Sequence, residues 1–337
     1  MAHPEALGNR LLAVVAIVLV IAGLRASYAV TMPLAVSLVL VAAIWPVKLW
    51  LDKALPSWIS YAGTILILLL ISAGFVAAVY FSTAQIVRAF SQNQEQFNRI
   101  YNAVTEWAMQ WGFEGFGGQR VYAQLIELGQ TLLENTYTVV VYIGFIAILV
   151  VFMLPEVPVF REKLRVTFNT ERHDFLETID EITVKVRQYL GVTAVTSLIT
   201  GVTSALWALV LGLDLALVWG ALNFLLNFVP IIGNIIGTVL PSIYAVIQFQ
   251  SLAISLIAFA GFAILQIITS SFVYPALQGR SLSLSPAAIV VALAFWGWVW
   301  GIAGTLIAVP LTVAIVIVCQ HFHSTKWIAH LLSTDSK

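Results

Sequence analysis

Charge is what this sequence has least of: 9% of its 337 residues are Asp, Glu, Lys or Arg, while 61% are hydrophobic. Soluble domains hold roughly 25% charged and 45–50% apolar residues, and no soluble fold could hide the excess. Sixteen Lys and Arg balance sixteen Asp and Glu, so a basic groove for nucleic acid is excluded. The one cysteine, Cys319, cannot form an internal disulfide. Also missing are a Gly-x-Ser-x-Gly elbow, a His-Glu-x-x-His pair and a Gly-x-x-x-x-Gly-Lys loop. Hydrolysis and nucleotide-driven pumping therefore lack their machinery, and neither an enzyme activity nor a cofactor is expected. Cys319 and His323 share a helix face, with His330 seven residues on. They read as histidines favoured at the negative end of a helix, not as a metal site.

What is present is a series of long hydrophobic runs. About 20 predominantly apolar residues cross hydrocarbon as a helix, the one single-segment structure that satisfies its own backbone groups there. Spans are expected near 9–27, 29–49, 58–83, 136–157, 191–213, 215–248, 251–274 and 286–320. The fold class is thus all-α, a polytopic membrane helical bundle of about eight spans. Arg10 followed by "LLAVVAIVLVIAGL" has the outline of a secretory signal, but the second run follows at once, and the first is read as a retained span.

Lysine and arginine placement orients the bundle, because cytoplasmic flanks are enriched in them. With the N-terminus inside and eight crossings, the cytoplasmic side holds Arg10, Lys48, Lys53, Arg161, Lys163, Arg165, Arg172, Lys185, Arg187, Lys326 and Lys337. The other side receives Arg25, Arg88, Arg99, Arg120 and Arg280. Both termini are therefore expected to be cytoplasmic.

Between spans the period changes. In 84–135, Ile86, Phe90, Phe97, Val104 and Trp111, then Val121, Leu125, Leu128 and Leu132, recur at helical spacing around the break "GFEGFGGQ". This is an outer pair of amphipathic helices. In 158–190 a stripe of Phe175, Ile179, Ile182, Val186 and Tyr189 predicts a cytoplasmic amphipathic helix that packs on its own protomer, lies at the membrane surface or meets another subunit. The chain accordingly reads as an N-terminal three-span region (1–83), the outer segment (84–135), a fourth span (136–157), the cytoplasmic helix (158–190) and a C-terminal core (191–337).

That core contains two Pro/Gly-interrupted segments. In "NFVPIIGNIIGTVLPSIYAVIQ", Pro230 and Pro241 each remove a backbone donor, and Gly233 and Gly237 permit unusual angles between them. A straight span is unexpected here. In "VYPALQGRSLSLSP", Pro275, Gly279 and Pro286 bracket a serine-rich turn carrying Arg280, read as a loop or re-entrant hairpin. Non-helical backbone at membrane depth must be buried in protein or line a wet cavity, and paired interrupted segments point to a solute site. Asn223, Asn227, Asn234, Gln248, Gln266, Thr269, Ser270, Ser271, Tyr274, Gln278 and Arg280 gather around the breaks. Taken singly they read as interhelical hydrogen bonds. Taken together with the backbone breaks they read as a translocation path. One wall is expected from Asn223, Asn227, Pro230, Gly233, Asn234, Gly237 and Pro241, the other from Gln266, Ser270, Tyr274, Pro275, Gln278, Gly279 and Arg280.

These residues carry a resemblance. Pro230, Gly233, Gly237 and Pro241, then Pro275, Gly279, Leu284 and Pro286, then Gly297, Gly301, Gly304 and Pro310 in "ALAFWGWVWGIAGTLIAVPL", make the chain similar to the autoinducer-2 exporter family of bacterial permease-like proteins. Asn234 departs from the proline that many relatives carry after the glycine. The resemblance implies a multispan transporter of the bacterial inner membrane that forms homo-oligomers. Some members are associated with export of autoinducer-2, others with sodium/proton exchange. Gly297, Gly301 and Gly304 are expected to let helices approach closely, with Pro310 closing the motif.

Three functions stay open at this point. A small neutral solute rich in hydroxyls needs amides, hydroxyls and free backbone groups, which the core has. A sodium/proton antiporter needs an ionisable group at membrane depth, and Asp214 alone is charged between Arg187 and Arg280, in a short connection that suits a turn. A non-transport scaffold would rest on the amphipathic helices.

Overall fold

The computed structural model describes residues 4–110, 118–167, 173–278, 284–321 and 325–333. Its helices are α1 (Pro4–Ala26), α2 (Tyr28–Leu51), α3 (Ser57–Gln92), α4 (Gln94–Gln110), α5 (Gly118–Glu134), α6 (Thr136–Thr167), α7 (His173–Leu211), α8 (Ala216–Leu226) and α9 (Ile232–Phe249). They continue with α10 (Leu252–Ile268), a π-helical turn (Thr269–Val273), α11 (Tyr274–Gln278), α12 (Pro286–His321) and α13 (Lys326–Leu332). Extended pairing among the described residues is limited to a bridge between Leu284 and Ser333. Among the described residues, seven segments have the length and apolar composition to cross a membrane, with the kinked Pro286–His321 counted as one, and Val14–Ala26 and Ala216–Leu226 are shorter apolar helices. This is the expected polytopic all-α bundle.

Large apolar side chains cover its outside, as hydrocarbon requires, and small hydroxyls are admitted to its interior. Leu19, Leu66, Phe152, Leu217 and Ile302 are exposed, whereas Ser37, Ser60, Thr64, Thr196 and Thr200 are fully buried. These hydroxyls are satisfied locally: Ser37 donates to the Pro33 carbonyl at 2.6 Å, Thr64 to the Ser60 carbonyl at 2.7 Å and Thr200 to the Thr196 carbonyl at 2.8 Å. Such bonds to the preceding turn let small polar residues sit at membrane depth without unmet donors.

The chain divides into two compact units. The first comprises Met1–Leu66, Ile143–Leu190 and Arg280–Lys337. Here α12 packs on α1, α2 and α13, and the Trp300 indole N–H donates to the Thr31 hydroxyl at 3.1 Å. The amphipathic stripe of α7 buries Val186 and Tyr189 and half-buries Ile179 and Ile182, so it packs within its own protomer; the Phe175 side chain lies outside the described set. Arg161 of α6 reaches Asp180 of α7 at 2.6 Å. The helix expected over 158–190 does not stop there, because α7 runs unbroken from His173 to Leu211.

The run 286–320, expected as one last span, is two helical arms. Trp300 (φ −129°, ψ 16°) and Gly301 (φ 63°, ψ −144°) leave helical geometry. The Trp296 indole then donates to the Thr312 hydroxyl at 3.2 Å, although sixteen residues of straight helix would separate them by about 24 Å. A Cβ on Gly304 would overlap the Trp296 carbonyl, and one on Gly297 would press on the Thr305 hydroxyl at 2.9 Å. Gly297 and Gly304 thus permit close approach between the arms of one fold-back, whereas Gly301 has open space at its Cβ position and serves the turn. Pro310 is buried on the second arm.

The second unit comprises Ile67–Tyr142 and Gly191–Gly279. Phe90, Trp219, Tyr244, Ala245, Ile247, Ala258 and Phe262 form its core, with Ile86, Phe97 and Ile126 laid against it. The amphipathic segment therefore docks through Phe90 and Phe97 as its period predicts, while Leu128 stays exposed. The side chains of Val104, Trp111, Val121 and Leu125 lie outside the described set. Helices α7 and α8 meet at two glycines: a Cβ on Gly220 would stand 2.7 Å from the Gly201 carbonyl, and one on Gly201 2.9 Å from Gly220.

Candidate functional site

The stretch 215–248 forms two helices folded back on each other. At eleven residues, α8 is about 16 Å long, half of a hydrocarbon layer. Contacts along the pair run antiparallel. Gln248 at the end of α9 accepts the Asp214 N–H at 2.8 Å and donates to the Gly212 carbonyl at 2.9 Å. Midway, the Trp219 and Tyr244 rings lie 5.4 Å apart. At the tip a Cβ on Gly233 would overlap the Leu226 carbonyl. A valine or alanine there would force the arms apart.

Both ends and the tip of this hairpin are strained. Among the described residues, the non-glycine positions with positive φ are Leu215 (61°), Ile231 (66°) and Gln250 (49°), and they fall at its start, tip and end. Ile231 (φ 66°, ψ −62°) centres a γ-turn closed by the Ile232 N–H on the Pro230 carbonyl at 2.7 Å. That turn form is rare, and a β-branched residue is badly suited to it. Each such position costs on the order of 1–3 kcal/mol and persists only where the surroundings impose it.

Proline chemistry explains what holds the arms together. Pro241, inside α9, has no N–H, so the Gly237 carbonyl one turn earlier loses its helical donor. Asn223 of α8 replaces it, its side-chain NH2 donating to Gly237 at 3.1 Å and to the Trp219 carbonyl at 3.0 Å. Both partners are carbonyls, so the amide must present its nitrogen to them and its oxygen the other way. That oxygen accepts the Gln266 NH2 of α10 at 2.7 Å. The chain of amides therefore has one direction, and it ends at the Gln266 Oε1, which is buried without a partner. Gly237 is required because a Cβ would overlap the Asn223 oxygen.

Asn227, at the tip, donates to Ser197 at 3.0 Å and Thr196 at 3.3 Å. These belong to a buried hydroxyl stripe on α7, Thr193, Thr196, Ser197, Thr200 and Ser204, which the sequence reading did not single out. Its signal is present as hydroxyls spaced by three and four residues in an apolar run. Past Gln266, the Tyr274 N–H reaches back to the Thr269 carbonyl in π register just before Pro275. A widened turn relieves the clash between a proline ring and the preceding turn, and such bulges recur at functional sites.

Of the expected path residues, Asn223, Gly237 and Gln266 come together with Pro241 as the source of the free carbonyl. Pro230 and Gly233 build the tip, and Asn227 joins α7. Asn234 is half-buried, its carbonyl accepting the Thr238 hydroxyl at 2.9 Å. Ser270 and Pro275 are exposed, Tyr274 is half-buried and Gln278 is buried; Gly279 and Arg280 lie outside the described residues. Asp214 is exposed at the base of the hairpin, where its carbonyl accepts the Trp219 indole at 2.9 Å. No three His, Cys, Asp or Glu side chains cluster among the described residues; His323 is not one of them.

Comparison with known proteins agrees with this architecture. A family model described as "AI-2E family transporter" matches residues 12–324. A putative transport protein of Haemophilus influenzae is 24% identical over 97% of this chain and 96% of its own length. A putative transport protein of Borreliella burgdorferi is 35% identical over 53% of this chain and 52% of its own. The AI-2 transport protein TqsA of Escherichia coli is 32% identical over 61% of each.

Proposed function

The chain belongs to the AI-2E family of transporters, and on that premise we propose that it carries a small, neutral, hydroxyl-rich solute of the autoinducer-2 type outward across the bacterial cytoplasmic membrane. The path is the polar interior of the second unit, formed by the hairpin α8–α9, the hydroxyl stripe of α7 and the Gln266 side of α10. Both termini are cytoplasmic in this reading, since that places the "FREKLR" cluster inside, and the protein works as a homo-oligomer.

One observation carries the proposal: all the described non-glycine positive-φ residues bound the two helices of one hairpin, at its start, tip and end. Strain of this kind collects where structure serves function instead of stability. The groups along the hairpin are amides, hydroxyls and a proline-freed carbonyl, which suit hydroxyl-bearing solutes. The name of the E. coli relative, an AI-2 transport protein, points the same way.

Sodium/proton exchange through Asp214 is less well supported. Coupling carboxylates belong at membrane depth, and Asp214 is exposed at the hairpin base.

Proteoliposomes loaded with autoinducer-2 separate these readings. The proposal expects efflux that falls at least about tenfold in Asn227→Ala, the loss of one or two buried hydrogen bonds, with no dependence on Asp214→Asn. Unchanged efflux in a folded Asn227→Ala protein removes Asn227 from the path. Sodium-driven proton movement abolished by Asp214→Asn would establish the exchanger instead.

A further inference from the structure

Helix α2 carries a second proline whose freed carbonyl is capped from another helix. Pro46 lies inside α2 and withholds a donor from the Ala42 carbonyl. The Arg187 Nε of α7 supplies it at 3.3 Å. Both residues belong to the first unit. The guanidinium is thereby anchored through one of its five N–H groups, which leaves the four donors of the terminal nitrogens for another partner.

Among the described residues, no carboxylate pairs with those terminal nitrogens. The ion pairs among the described residues are Lys48 with Asp52 at 2.6 Å and Arg161 with Asp180. Arg25 is settled differently, 4.0 Å above the Trp298 ring. Arg88, Arg99, Lys163 and Arg165 are exposed and can be hydrated, whereas Arg187 is half-buried. Lys48, six residues beyond Ala42 and thus about 9 Å along α2, cannot serve a ligand: it is held by Asp52 and sits over the Trp45 and Tyr61 rings. Its hydrogen bond keeps the Asp52 carboxyl below the ordinary carboxylate range, so both partners stay charged.

Depth identifies the missing partner. From Arg187 to the end of α7 at Leu211 is about 36 Å of helix, slightly more than the roughly 30 Å of bilayer hydrocarbon. Arg187 therefore stands at a headgroup boundary. Trp45, Lys48 and Tyr61, residue types that mark membrane interfaces, cluster at the same end of α2. Below Ala42, one face of α2 presents Leu38 and Leu34 to the outside, 54% and 43% exposed, at the four-residue spacing that continues a single face. A cation with open donors at headgroup level, heading an apolar strip that runs into hydrocarbon, matches one amphiphile.

We propose that Arg187 holds the phosphate of a bound phospholipid, whose acyl chain lies along Leu38 and Leu34 of α2. A guanidinium donates two parallel hydrogen bonds to a phosphate, and the charge-assisted bonds are about twice as strong as neutral ones. Pinning of Nε to Ala42 pre-orients the group and reduces the entropy lost on binding. The site is independent of the solute path.

The test is thermal unfolding of the full-length protein in detergent, titrated with phosphatidylglycerol, with a diacylglycerol of the same chains, or with inorganic phosphate. Phosphatidylglycerol stabilises the protein and the other two do not. In Arg187→Gln, half-maximal stabilisation needs about tenfold more phosphatidylglycerol, the loss of a charge-assisted pair. Arg187→Lys, which keeps the charge, recovers part of the shift and covers the case in which the glutamine variant does not fold; Arg165→Gln, at an exposed site, leaves it unchanged. Native mass spectrometry should retain one fewer phosphatidylglycerol on Arg187→Gln. An equal shift and equal lipid count in the variant overturn the proposal. So does stabilisation of the unmodified protein by inorganic phosphate alone, which would make the ligand a soluble phosphate.

Discussion

The fold-back within α12 and the fold-back of α8 on α9 differ in how they turn. The arms of α12 reverse at Gly301, a residue that accepts φ 63° without a Cβ penalty, and they are held by Trp296 on Thr312 and by Trp296 stacked on Trp300 at 5.0 Å. The pair α8–α9 reverses at Ile231, which does not suit φ 66°, and is held by Asn223, Gly237 and Gln266. The first uses the residue the geometry wants and aromatic packing. The second keeps a strained residue and spends buried amides on a carbonyl that Pro241 set free. A fold-back that only shapes the bundle has no reason to retain that strain. One that handles a solute does.

The largest effect expected from this contrast is at the tip of the strained pair. Gly233→Val drives a side chain into the Leu226 carbonyl, backbone that cannot move aside, and should abolish recovery of monodisperse protein on size-exclusion chromatography. Next, Asn223→Leu leaves the Gly237 carbonyl and the Gln266 amide unpaired. It should cost about 3 kcal/mol in thermal unfolding, at about 1–3 kcal/mol per buried unmet group. The double variant Asn223→Leu with Gln266→Leu should cost less than the sum of the singles, because the partners share one network. On α12, Trp296→Phe removes a single hydrogen bond and should cost about 1 kcal/mol.

The turns themselves should respond with opposite signs. Ile231→Gly relieves backbone strain and should stabilise the protein by about 1 kcal/mol, while Gly301→Ala should destabilise it by about 1–2 kcal/mol. Equal responses would erase the distinction. The smallest effect is at Arg161→Gln. Its pair with Asp180 is more than half exposed on both sides, and solvent screening leaves such pairs worth about 0–1 kcal/mol.

Much of this was legible in the residues. The break at Pro230, Gly233, Gly237 and Pro241 was visible because proline and glycine state their backbone effects locally. Its fold-back was not, since that depends on Asn223 meeting Gly237 across fourteen residues, a pairing no local rule contains. The reversal of α12 was hidden because "FWGWVWGIAG" carries no proline at the turn and reads as unbroken span. The α7 stripe was passed over because serine and threonine in an apolar run bond their own preceding turn, as Thr200 does with Thr196. They look neutral until a partner such as Asn227 arrives. Asn223 and Gln266, expected to line a path, first of all join α8, α9 and α10, and only the Gln266 Oε1 remains open.

The central claim is that the strained, polar fold-back carries function and the relaxed, aromatic one carries structure. Paired efflux measurements in proteoliposomes address it most directly, with Asn227→Leu on one side, Trp296→Phe on the other, and equal amounts of folded protein in each. The account predicts that efflux collapses in the first and persists in the second. Persistent efflux in Asn227→Leu, with loss in Trp296→Phe, would contradict it.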